Sequence, residues 1–118
     1  MVSLGMKGPY DLTTKSVNEV VTRKSAGNYA LGYKNDKGVF IVQYVGRADI
    51  DVANRIKQHI GEGYSKFKYD YATSPKAAFE KECINYHDFG GSQLLDNNIH
   101  PDRPNGSSWK CPRCTIFD

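Results

Sequence analysis

Two phenols, a guanidinium, a carboxylate and an amide are spread through the middle of this 118-residue chain, and together they are what a metal-assisted phosphodiester-cleaving site needs. They are Tyr29 in Gly27-Asn28-Tyr29, Tyr44 in Tyr44-Val45-Gly46, Arg55, Glu82 and Asn97, with His59 four residues after Arg55. Cleaving such a bond takes a water stripped of its proton, stabilisation of charge on the non-bridging oxygens, and help for the departing oxygen. A forked guanidinium suits the phosphate. A phenol, with a pKa of about 10, needs a cation nearby before it can act as a base.

The order and spacing of these groups over residues 25–99 resemble the GIY-YIG nuclease family. The resemblance implies that Tyr29 and Tyr44 position or deprotonate the attacking water, that Arg55 holds the scissile phosphate, and that Glu82 binds one magnesium or manganese ion. It also implies a place for His59, as a proton relay or phosphate contact, and for Asn97, or its neighbour Asn98, in steadying water or substrate. Glu82 fits the family's small-residue-then-glutamate spacing through Ala78; Glu80 is the alternative and points roughly the other way around a helix. Asn28 departs from the usual apolar centre of the first tripeptide.

The elements that must position these groups are legible from periodicity. Residues 27–33 and 39–46 are rich in Tyr, Val, Phe and Ile and flank Asn35-Asp36-Lys37-Gly38, a hairpin signal. A symmetric four-residue turn would set Tyr29 opposite Tyr44, both hydroxyls on one face; a glycine bulge at Gly38 would shift that register by one residue. Residues 51–60 read as a helix with Val52, Ala53, Ile56 and Ile60 as its apolar stripe, capped by Asp49 or Asp51, with Arg55 and His59 stacked on one side. Residues 66–72 alternate like a third strand, and Ser74-Pro75 opens a helix running to about Asp88, where Gly90-Gly91 stops it. A further short helix is expected over 13–23, with Ser16 and Glu19 as a capping box. Residues 94–104 read as a loop and Asn105-Gly106 as a turn.

The expected architecture is α+β: a small three-stranded antiparallel sheet flanked by helices, with a zinc-knuckle-like tail. Residues 1–24 form an irregular arm and short helix, 25–100 the nuclease-like domain, and 101–118 a tail packed on it. All three cysteines enter one candidate site. Cys83 and His87, four apart on the second long helix, combine with Cys111 and Cys114 of Cys-Pro-Arg-Cys into a ligand set for structural zinc, with His100 as a substitute.

Sixteen Lys and Arg against thirteen Asp and Glu leave a formal charge of +3, a mild bias that suits nucleic acid without demanding it. Arg47, Lys57, Lys66 and Lys68 are the candidate phosphate contacts, and Tyr64, Phe67, Tyr69 and Tyr71 offer faces for stacking on bases. No apolar run approaches the ~20 residues of a membrane span, and the first fifteen residues lack the apolar core of a secretory signal, so an intracellular, cytoplasmic protein is expected. The implied function is a metal-dependent DNA endonuclease, of the kind used in DNA repair among other roles, with RNA left open as substrate and a homo-oligomer or larger nuclease assembly as its setting. A non-catalytic nucleic-acid-binding module and a zinc-stabilised protein-interaction domain are the competing readings.

Overall fold

The computed structural model describes residues 4–104 and 106–117. These form strands β1 (Lys7–Asp11), β2 (Gly27–Lys34), β3 (Phe40–Ala48) and β4 (Lys66–Tyr71) and helices α1 (Thr14–Val20), α2 (Val52–Lys57), α3 (Pro75–Asp88) and α4 (Gly91–Leu94). The sheet is four-stranded and antiparallel throughout, in the order β1-β4-β2-β3. The expected three strands are therefore joined by a fourth. Residues 7–11, read as irregular for want of periodicity, pair along β4 with a register shift between Lys7 and Tyr10 that breaks the alternation. The arm is no appendage either: Leu12, Val17 and Val21 share a core with Tyr29, Val52, Ile56 and Phe67.

That core lies on one face of the sheet beneath α1 and α2, while Ala30 and Val45 face a second cluster with Tyr86 and Leu95. Helix α3 begins where Ser74 accepts a hydrogen bond from the Ala77 amide and Pro75 occupies the first turn. Its buried residues Ala78, Phe79, Glu82, Cys83 and Tyr86 follow the helical repeat, so one stripe turns inward. Asp51 caps α2 by accepting from the Asn54 amide. Helix α1 is shorter than expected and its cap is Thr13, which accepts from the Ser16 amide, rather than Ser16 itself.

The hairpin register corrects the expected pairing of the two tyrosines. Asn35 closes on Val39 and Gly38 takes a positive φ of 77°, so the turn carries the glycine bulge. A second shift falls between Leu31 and Gly32, which leaves Tyr29 opposite Gly46 and Tyr44 opposite Leu31. One such slip would have sent the two phenols to opposite faces; two slips restore the parity. The rings consequently stack, at 6.4 Å between centroids.

Gly46 is required by this arrangement, because a Cβ there would run into the ring and hydroxyl of Tyr29. Gly46→Ala should cost about 1–3 kcal/mol of stability by overpacking. Urea unfolding of the variant checks this, and a midpoint equal to that of the parent would remove the constraint.

Candidate active site and metal centre

Strand β3 is one of the sheet's two edge strands, and residues after α4 cover its free edge. The Asp96 amide donates to the Gln43 carbonyl at 2.6 Å, and the Asn97 side chain grips Val45 twice, accepting from its amide at 3.0 Å and donating to its carbonyl at 2.7 Å. Against this edge opens a cleft of about 570 Å³ lined by Tyr44, Arg47, Arg55, Glu82, Asn97 and residues 98–102. Four of the six residues picked out by spacing therefore reach one cavity, from β3, α2, α3 and the covering loop. A volume of that size is within the usual range of small-molecule clefts.

The other two stand behind it. The Tyr29 hydroxyl lies 2.8 Å from His59 Nε2, and His59 Nδ1 lies 2.7 Å from Glu62 Oε1. With Nδ1–H donated to Glu62, Nε2 is left to accept from Tyr29, so a phenol, an imidazole and a carboxylate form one relay. His59 follows the end of α2 instead of lying on it, yet its ring still packs on Tyr44, 5.0 Å between centroids. Burial pushes the Tyr29 phenol well above its ordinary value, with Tyr44 adding to the shift and Arg55 opposing it. Burial also raises Tyr44, helped by Glu82 and opposed by Arg55. Tyr29, only 1% exposed, cannot meet a water in the cleft, whereas half-buried Tyr44 can.

Glu82 is enclosed, and burial raises its carboxyl against the pull of Arg47. Arg47 Nη1 donates to Glu82 Oε1 at 2.6 Å and Arg47 Nε to Asp49 Oδ1 at 3.0 Å, with the guanidinium over the Phe79 ring. Arg47 thus belongs to the site's interior charge balance, which corrects its placement on a phosphate-binding rim. The other expected phosphate contacts are dispersed: Lys57 donates to Asn18, Lys66 pairs with Asp11, and Lys68 sits over Phe40. The stacking faces are also committed. Phe67 and Tyr69 are core, the Tyr64 hydroxyl donates to Asp96, and the Tyr71 hydroxyl accepts from the Thr22 and Arg23 amides. Asn97, expected to steady water, uses its amide on Val45, so its first task is to hold the loop. Asn28, the departure from the family tripeptide, is buried and donates to the Ala78 carbonyl, tying β2 to α3 four residues before Glu82.

A second cluster adjoins the cleft. His87, His100, Cys111 and Cys114 bring their ligand atoms within 4.8 Å of one another, a His2Cys2 set that could hold a metal such as zinc. His87 Nε2 and His100 Nε2 are 3.0 Å apart and Cys114 Sγ is 3.5 Å from the latter. Zinc bond lengths in a tetrahedron give about 3.3 Å between two nitrogens and about 3.6 Å between nitrogen and sulfur. His100 Nδ1 donates to the Pro101 carbonyl at 2.7 Å, which directs the Nε2 lone pair inward, as metal-bound histidines require. Burial and His100 lower His87, favouring the neutral ligand form.

The expected set is corrected in one member. Cys83 stays outside the cluster, fully buried against Phe79 and Cys111, with its thiol pushed far up by burial and by Cys111. His100 takes its place. Spacing favoured Cys83 because a Cys-x3-His pair lies on one helix, whereas the return of residue 100 to α3 depends on how the loop crosses β3. The Cys111 knuckle packs beside Phe79, and the Trp109 and Phe117 rings pack on the same side chain of α3. The Asn105-Gly106 turn involves Asn105, which lies outside the described residues.

Comparison with protein-family models, curated proteins and solved structures gives no match for this chain. Among the described residues, no helix is long and apolar enough to cross a membrane.

Proposed function

We propose that this protein is a metal-dependent endonuclease that hydrolyses DNA phosphodiester bonds at a single GIY-YIG-type site. The observation that carries the reading is the convergence of Tyr44, Arg55, Glu82 and Asn97 on one cleft, with the Tyr29-His59-Glu62 relay directly behind. In this reading Arg55, exposed at the cleft, receives the scissile phosphate. Tyr44 holds the attacking water and takes its proton. Tyr29 and His59 orient the Tyr44 ring by packing on it.

The donor set fits a divalent ion of the magnesium or manganese kind, because such ions keep most of their water and need only one or two carboxylates plus phosphate. Glu82 would hold it, in competition with Arg47. Once bound, the ion would neutralise charge on the phosphate and favour loss of a proton nearby. Arg47, displaced from Glu82, retains Asp49 as a partner.

We also infer that the His2Cys2 set takes zinc, since two imidazoles and two thiols gathered within 4.8 Å of one another select it over magnesium or calcium. This centre joins α3 to the cleft wall and the tail and serves structure.

Incubation of the full chain with supercoiled plasmid should give nicked circles when magnesium or manganese is added and none when both are omitted. Intact plasmid under every divalent condition, with folded protein, would remove the nuclease reading in favour of a binding module.

A further inference from the structure

We infer that the His2Cys2 centre is the clamp that shapes the nuclease cleft, with His100 as a positioning residue common to both. The inference rests on the zinc reading and is independent of whether the cleft cuts DNA. His100 lines the cleft and is also one of the four converging ligands. The four come from three separate segments: His87 from α3, His100 from the loop that walls the cleft, and Cys111 and Cys114 from the tail. A metal there fastens the wall and the tail to the helix that carries Glu82.

Apart from a metal, the wall is held by Asp96 on Gln43 and Tyr64, by buried Pro101, and by the His100 ring on Tyr86 and Phe117. Asn97 is bound to Val45, and three residues later the chain reaches His100. Between them Ile99 is 76% exposed, so apolar burial does little to hold this stretch. The His100 Nε2 lone pair faces His87 Nε2 and Cys114 Sγ together, an arrangement of acceptors that a cation stabilises. Fixing His100 therefore fixes the reach from Asn97 to Asp102. Losing the metal frees that stretch while leaving the sheet and its two main clusters intact, because Val45, Phe67 and the residues packed on them take no part in ligation.

The test uses the full chain purified with zinc, and reads metal content, hydrogen exchange by mass spectrometry, and the emission of Trp109, the single tryptophan, which packs on Phe79. One equivalent of zinc is expected. Chelation should speed exchange over residues 96–102 on the order of tenfold or more, red-shift the Trp109 emission, and leave β2 and β4 protected. His100→Gln should lose the metal and show the same exchange pattern. His100→Cys should restore both, since a thiolate serves as well at that corner, and Cys83→Ala should keep the full equivalent.

Less than half an equivalent in the parent after incubation with zinc overturns the zinc reading and the clamp with it. A full equivalent whose removal loosens the tail but leaves residues 96–102 unchanged overturns the clamp alone. Metal retained by His100→Gln, or lost from Cys83→Ala, overturns the ligand assignment.

Discussion

Glu82→Gln should lower plasmid nicking on the order of a hundredfold or more while the protein stays folded. The amide keeps an oxygen for Arg47 Nη1, which now donates to Glu82 at 2.6 Å, and it matches the carboxylate in size, so the enclosed guanidinium keeps a partner. What it removes is the negative charge that would hold a divalent cation against the phosphate. Glu82→Ala is the poorer experiment. It leaves a largely buried Arg47 with Asp49 as its remaining partner, and removing one member of a buried pair typically costs up to about 3–5 kcal/mol. Inactivity of that variant could reflect unfolding. The comparison to make is nicking rate against urea midpoint for the two variants side by side. Full activity in Glu82→Gln, with a normal midpoint, would show that no catalytic cation rests on this carboxylate.

Tyr44→Phe should reduce nicking on the order of a hundredfold, within the range by which a positioned acid or base accelerates proton transfer. The ring and its stacking on Tyr29 and His59 remain, so the loss isolates the hydroxyl. The direction of the Tyr44 shift adds a pH signature. Burial first, then Glu82, hold the phenol above its ordinary value, so in the free protein the base form is the minor one throughout the neutral range. If Tyr44 takes the proton, the parent's nicking rate climbs steadily with pH from 6 to 9 and does not level off. The phenylalanine variant loses that slope. A parent profile that is flat across this range, or a variant that keeps the slope, would transfer the base to another group.

Between these two variants lies the tension at the centre of the site. Arg47 donates to Glu82 and would have to yield part of that carboxylate to a metal. The Asp49 carboxylate, 3.0 Å from Arg47 Nε, gives the guanidinium somewhere to remain. Burial raises the Glu82 carboxyl while Arg47 favours its charged form, so in this enclosed space the arginine supplies the countercharge that a bound cation would take over.

Much of this molecule was legible in its residues because the informative patterns were local. Ser74-Pro75 opening α3, Asp51 capping α2, the alternation of β4 and the apolar stripe carrying Glu82 all depend on contacts within one or two turns of chain, where spacing determines geometry. Strand β1 escaped because its pairing with β4 spans some sixty residues and its bulge erases alternation. The tyrosine register escaped in part: the turn residues announced one bulge, but the second, at Leu31 and Gly32, is set by how β2 fits between β3 and β4 at once.

By itself, the order of residues marked the side chains with potential for chemistry and the helix or strand of Tyr29, Tyr44, Arg55 and Glu82, with His59 falling just past α2. Only the tertiary structure decided their partners: that Arg47 turns inward to Glu82, that Asn97 spends its amide on Val45, and that His100 replaces Cys83 beside the tail cysteines. The physical reason is range. Helical and strand periodicity act over neighbouring residues, whereas the enclosure of a charge or the meeting of four ligands depends on where distant segments cross, which no local spacing encodes.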